Sequence, residues 1–144
     1  MSQLQLTIVI EASGSEVWAE LSDLESHVEW MADAVALEFH SDQRRGVGTA
    51  FSCATKVGPF RTTDEMVVTR WEEGQFIEVA HRGIFQGRGE FLVEPIEEKR
   101  TRIVWTEQLR FPLWMGGALG AAIAGPILRR IWRGNLERLR SRIP

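Results

Sequence analysis

Between Gln3 and Glu11 apolar and polar residues alternate, with Leu4, Leu6, Ile8 and Ile10 on one face and Gln3, Gln5, Thr7, Val9 and Glu11 on the other. A period of two predicts a half-buried strand. The pattern then changes. Ser13 followed by Glu16 has the spacing of a capping box, and Val17, Trp18 and Leu21 recur at helical intervals, which predicts a helix over 14–22. Leu24, His27, Val28 and Met31 follow the i, i+3, i+4, i+7 rule, predicting a second short helix that ends near Trp30.

After Ala34 strand signals take over, at 35–41, 47–57, 60–72, 75–82, 87–95 and 100–111. They are divided by Gly46, Gly58-Pro59, Glu73-Gly74, the stretch from Gly83 to Gly87, and Glu97-Glu98-Lys99-Arg100. Strands in series with short connections form an antiparallel meander. From Leu113 the period is helical to the end, and Leu128, Ile131, Trp132, Leu136, Leu139 and Ile143 mark an apolar stripe. The expected architecture is α+β: a curved seven-stranded antiparallel sheet around a long C-terminal helix, with two short helices after the first strand, in one domain spanning 1–144.

Composition narrows the function. The chain has 144 residues, 44% of them hydrophobic and 26% charged, an ordinary globular balance. Six arginines against one glutamate between Arg129 and Pro144 give that segment +5, leaving −8 on residues 1–128 of a net −3. The basic charge is therefore local, and with a pI near 5.7 no nucleic-acid partner is expected. The single cysteine, Cys53, and the absence of a basic, continuously apolar leader point to the cytoplasm. His27, His40 and His81 are scattered without metal-ligand spacing, and the glycines complete no dinucleotide fingerprint, so neither metal nor cofactor is expected. Six Trp and seven Phe without a single Tyr must serve a core, a ligand or an interface.

Several segments together resemble the START-like (SRPBCC, birch-pollen-allergen-like) helix-grip superfamily, and within it the polyketide cyclase/dehydrase group. They are Ala12-Ser13-Gly14-Ser15-Glu16-Val17-Trp18, Ser22-Asp23-Leu24-Glu25-Ser26-His27-Val28-Glu29-Trp30-Met31, Gly46-Val47-Gly48-Thr49, Val68-Thr69-Arg70-Trp71-Glu72 and Thr101-Arg102-Ile103-Val104-Trp105-Thr106. Val28 stands where the usual pattern has Pro. The resemblance implies a deep apolar cavity between sheet and long helix that binds or transports hydrophobic molecules, and in some members cyclises or dehydrates them. It also implies that Trp30 and Met31 look toward that cavity.

Strand phase nominates the rest of the lining. On the last strand Thr101, Ile103, Trp105, Glu107, Leu109 and Phe111 share the inward face. Glu107 is then an acid among apolar neighbours, to be paired, protonated or in contact with a wet cavity. Phe51, Cys53 and Thr55, and likewise Gly89, Phe91 and Val93, are the inward sets of their strands; the set Ile77, Val79, His81 carries a histidine inward. His81 is either a satisfied interior histidine or, with Glu107, an acid and base for an enolisable polyketide or for orienting a ligand's polar end. Arg70 and Arg82 would bind an anionic group only in the opposite register and otherwise belong to a solvated face. Trp18 and Trp132 are read as packing residues.

Phe111 to Leu128 carries no charge and precedes Arg129-Arg130. Pro112, Pro126 and the glycines oppose a spanning helix. A lid, a packed helix and a transient membrane contact through residues 113–133 remain as readings. The expected function is thus binding or transport of a lipid, quinone or polyketide-like molecule. The alternatives are an aromatase/cyclase or dehydratase using His81 and Glu107, and a docking module acting through the basic helix. The candidate ligand-binding set is Trp30, Met31, Phe51, Cys53, Val79, Phe91, Ile103 and Trp105.

Overall fold

The computed structural model describes residues 2–144. The first alternating segment is strand β1 (Ser2–Ile10), which pairs antiparallel with the last strand, β7 (Arg100–Arg110), placing Leu6 opposite Trp105 and Ile8 opposite Ile103. These four side chains are buried, as the alternation requires. The capping box forms: Ser13 Oγ accepts from the Glu16 amide at 3.2 Å and the Glu16 carboxylate accepts from the Ser13 amide at 3.2 Å. It starts α1 (Gly14–Leu21), whose Val17, Trp18 and Leu21 are buried. The second helix divides into a 3-10 turn, Leu24–Ser26, and one α-helical turn, α2 (His27–Trp30). Ser26 accounts for the break, because its hydroxyl turns back to the Asp23 carbonyl at 2.7 Å.

β2 (Ala34–Phe39), β3 (Ala50–Val57), β4 (Phe60–Glu72), β5 (Phe76–Arg82) and β6 (Gln86–Glu97) follow as a meander that ends on β7. The sheet order is β1-β7-β6-β5-β4-β3-β2, antiparallel throughout. β3 starts three residues later than its apolar pattern predicts. Gly46 and Gly48 adopt φ of 85° and 94°, and the Gln43 side chain holds the Arg45 and Val47 carbonyls at 2.9 Å each, so this stretch is a stapled loop.

A 3-10 turn at Leu113–Met115 leads through Gly116 into α3 (Gly117–Arg142), which contains Pro126. The second half of α3 is the fastened half. Trp132, Leu136 and Leu139 are buried against Ile10, Val17, Leu21 and Ile103. Each fully buried aliphatic side chain there contributes about 1.5–3 kcal/mol. A polar latch adds to this packing. Asp33 accepts from Trp132 Nε1 at 3.0 Å and Asn135 Nδ2 at 2.8 Å, Asn135 Oδ1 accepts from the Ala32 amide at 2.9 Å, and Arg138 Nε donates to the Trp30 carbonyl at 3.0 Å. Much of the basic tail is absorbed in the same way, Arg142 lying 2.5 Å from Glu20 and 3.6 Å from Glu29. Arg130 and Arg133 form no ion pair among the described residues.

Candidate functional site

Where the sheet and the first half of α3 face each other they leave a cavity of about 380 Å3. Its walls are apolar: Phe51, Met66, Ile77, Phe91 and Trp105 from the sheet, and Ile127, Leu128 and Trp132 from α3. Trp105 stacks on Trp132 at 5.2 Å between ring centres and packs on Phe91 at 5.0 Å. At the β3–β4 and β5–β6 turns and the end of β7, Phe60, Phe85 and Phe111 form a partly exposed aromatic row, with centroid spacings of 6.0 and 4.9 Å. Met115 borders the cavity beside them.

The polar lining is sparse and of one sign. Asp33, Asp64 and Glu107 line the cavity with His27 and His81, while no lysine or arginine does. Asp33 is satisfied by the latch. His27 donates from Nε2 to the Leu21 carbonyl at 2.7 Å, and burial keeps it below the ordinary histidine value in spite of that bond. Burial also pushes the Cys53 thiol up to about 11, leaving it a poor nucleophile.

His81 and Glu107 meet across a strand that separates them. His81 stands on β5 and Glu107 on β7, and β6 between them places Gly87 opposite His81 and Gly89 opposite Glu107. With no side chain at either position, His81 Nε2 reaches Glu107 Oε2 at 3.0 Å, and Trp105 Nε1 donates to Glu107 Oε1 at 3.1 Å. A Cβ on Gly89 would stand 2.6–2.9 Å from the Glu107 carboxylate. Both side chains are about nine-tenths buried. Burial alone would lower His81, but the Glu107 charge and hydrogen bond, with Asp64 adding to them, outweigh it and raise the imidazole above its ordinary value.

Asp64 completes the cluster. It lies on β4, diagonally across from His81, since Met66 is the residue paired with His81. Only 7% of it is exposed, and its Oδ1 has no hydrogen-bond partner; His81 Nδ1 has none either. Burial holds Asp64 above the usual carboxylate range, with the neighbouring His81 opposing this and the Glu107 charge adding to it.

The structure brings Met31, Phe51, Cys53, Val79, His81, Phe91, Trp105 and Glu107 together around the cavity. Two expected lining residues are elsewhere. Trp30 and Ile103 have no exposed surface and belong to the packed core: Trp30 is wedged among His27, Phe91 and Trp105, and Ile103 lies in the same buried cluster as Val17, Leu21, Leu136 and Leu139. Trp132, read as a packing residue, packs and lines the cavity as well. Sequence reasoning does not single out Asp64, although Phe60, Thr62, Asp64, Met66 and Val68 alternate inward along β4 and carry the signal. Arg70 and Arg82 lie exposed outside the cavity, Arg70 paired with Glu72 at 2.6 Å. No helix is long and apolar enough to cross a membrane among the described residues. The uncharged stretch instead exposes Leu113, Trp114, Leu119, Ile123 and Ile127.

Comparison with known proteins settles the lineage. The model of the family described as polyketide cyclase/dehydrase and lipid transport matches residues 1–144. The chain belongs to this family. No curated protein matches it. Among solved structures, this member of the polyketide cyclase/dehydrase family is similar to the Zhui aromatase/cyclase of Streptomyces sp. R1128, at 13% identity and a TM-score of 0.82, covering 99% of this chain and 93% of that one. A Thermus thermophilus protein gives 18% identity and a TM-score of 0.80 over 99% and 97% of the two chains. A START superfamily protein of Mycobacterium smegmatis gives 14% and 0.73 over 98% and 96%. At these identities the likeness establishes the helix-grip fold of the polyketide cyclase/dehydrase family and leaves the ligand to be argued from the site.

Proposed function

We propose that the protein binds and carries a hydrophobic small molecule of lipid, quinone or polyketide type in the cavity between sheet and α3. The observation that carries this reading is an unfilled apolar volume of about 380 Å3 bordered by a few buried polar groups, since small-molecule sites combine apolar walls with a small number of orienting groups. Membership of a family described by lipid transport as well as cyclisation supports it. The free, buried thiol of Cys53 accords with a reducing, cytoplasmic location. Native mass spectrometry of the protein as purified, followed by extraction and identification of the small molecule, is the direct test. A mass equal to the bare chain, together with failure of apolar dyes to bind, overturns the reading.

A second reading is favoured by the His81–Glu107 contact of 3.0 Å. A histidine held by a carboxylate in an apolar-walled cavity is suited to moving a proton on an enolisable polyketide, which makes an aromatase/cyclase or dehydratase activity the enzymatic alternative. The structural likeness to an aromatase/cyclase supports it. His81→Gln abolishes turnover of a poly-β-ketone substrate if this reading is correct; a fully active variant removes it.

The exposed residues Leu113, Trp114, Leu119, Ile123 and Ile127, followed by Arg130 and Arg133, which have no ion-pair partner among the described residues, suit loading from an anionic bilayer. Sedimentation with phosphatidylglycerol vesicles, lost on replacing Arg130 and Arg133 by Ala, tests this step. Equal sedimentation of that variant removes it.

A further inference from the structure

We propose that Asp64 and His81 form a subsite for a neutral hydroxyl group, whether phenol, enol or alcohol, at the polar end of the bound molecule. This rests on the reading that the cavity binds a hydrophobic ligand, and it names the chemistry of that ligand's head.

The cluster contains three groups but one incomplete pair. Both carboxylate oxygens of Glu107 have donors, from His81 Nε2 and Trp105 Nε1, and both oxygens of Asp33 have donors from Trp132 and Asn135. Asp64 Oδ1 and His81 Nδ1 are the polar atoms left over, on side chains that are diagonal neighbours and that both line the cavity. A buried polar atom without a partner is unfavourable, so a ligand that supplies the missing bonds gains from both atoms at once.

The missing bonds have a definite form. A single proton shared by a carboxyl and an imidazole leaves one donor and one acceptor, whichever holds it. Imidazolium with carboxylate offers N–H and O⁻; imidazole with carboxylic acid offers N and O–H. A hydroxyl, with one donor and lone pairs, satisfies both partners in either state. An ammonium cannot accept, and a carboxylate cannot donate to an ionised Asp64. Charge points the same way. The lining holds three acidic residues and no lysine or arginine, so an anionic head would enter against like charge. Arg129 borders only the adjoining groove between β1 and α3, where its guanidinium holds the Gln5 carbonyl at 3.0 Å.

A dry cavity of about 150 Å3 holds benzene, so 380 Å3 has room for a bicyclic aromatic. Three probes of one shape separate the head group from the cavity: 2-naphthylmethanol, its isostere 2-ethylnaphthalene, and 2-naphthoate, each titrated against labelled protein by heteronuclear NMR. The expected result is about tenfold tighter binding of the alcohol than of the hydrocarbon, from two hydrogen bonds to charged or strongly polar groups, and no saturable binding of the carboxylate. In Asp64→Leu the hydrocarbon still binds and the advantage of the alcohol disappears; His81→Leu reads the same loss independently. Equal affinity of alcohol and hydrocarbon for the wild-type chain overturns the inference and leaves the cavity reading intact, as does preference for the carboxylate. Binding of none of the three overturns both.

Discussion

Replacement of Gly89 by Ala tests whether the His81–Glu107 pair depends on the missing side chain between them. Gly89 has no left-handed backbone requirement, so alanine is conformationally acceptable there and by itself gains about 0.4–1 kcal/mol through the unfolded chain. Against this stands the new methyl, 2.6 and 2.7 Å from the two Glu107 oxygens. To reach ordinary contact the carboxylate must retreat by about 0.5–1 Å. Its bonds to His81 and Trp105, at 3.0 and 3.1 Å, then stretch beyond useful length. Each is a bond to an ionised or strongly polar group worth about 1.5–3 kcal/mol, part of which the displaced carboxylate recovers elsewhere. The net expectation is destabilisation by about 2–3 kcal/mol. Urea denaturation followed by tryptophan fluorescence reads this as a midpoint about 1–2 M lower, given a typical dependence for a domain of this size. The decisive control is the same substitution in a Glu107→Ala background, where no carboxylate meets the methyl and the change becomes neutral or slightly stabilising. A loss below about 0.5 kcal/mol in the wild-type background, or an equal loss in both, refutes the argument.

Three further perturbations follow from the same geometry. The two cavity histidines have opposite pH signatures: His81 lies above its ordinary value when folded, so its contribution is full below about pH 6.5 and fades as pH rises through the folded value, whereas that of His27, which lies below, is full above about pH 6.5 and fades as pH falls. Melting temperature from pH 5 to 9 is expected to lose its alkaline decline in His81→Gln and its acid decline in His27→Gln; unchanged profiles contradict this. Asp64→Asn is expected to raise stability at pH 7, because a carboxyl held above its usual range disfavours folding once ionised, and a fall in calorimetric melting temperature would argue against it. Asn135→Ala removes three partly buried bonds, to the Ala32 amide, Asp33 and the Arg138 guanidinium, and is expected to cost about 2–4 kcal/mol in a denaturant titration.

Local pattern carried most of the architecture. The alternation of β1 and β7, the Ser13–Glu16 box and the helical stripe ending in Leu136 and Leu139 each name an element that forms. The same alternation places His81 and Glu107 on one face from sequence alone, because a period of two assigns faces without ambiguity. What a face opens onto is a different matter. Ile103 and Trp105 are both inward on β7, yet one is packed and the other borders a cavity, a difference set by neighbours from elsewhere in the chain and not by the alternation. Trp30 is excluded from the lining by its neighbours in space, His27, Phe91 and Trp105, two of them remote in sequence. Asp64 escapes sequence reading for another reason: it is an acid with Thr62 beside it in the middle of β4, and only the more distant Phe60, Met66 and Val68 mark its face as inward. The pairing of Met66 with His81 fixes that phase only once the sheet is assembled.

The uneven fastening of α3 bears on how such a protein diversifies. Every side-chain hydrogen bond from this helix to the rest of the molecule, among the described residues, starts at Arg129 or later. The turns from Gly117 to Leu128, which roof the cavity, contribute only apolar contact and exposed surface. Ligand preference and folding are therefore written in largely separate stretches of one helix, meeting at Trp132, which both lines the cavity and bonds Asp33. Substitutions at Ala124, Ile127 or Leu128 reshape the chamber without drawing on the bonds that hold the chain together, which makes this roof the place where new specificities arise at least cost to the scaffold.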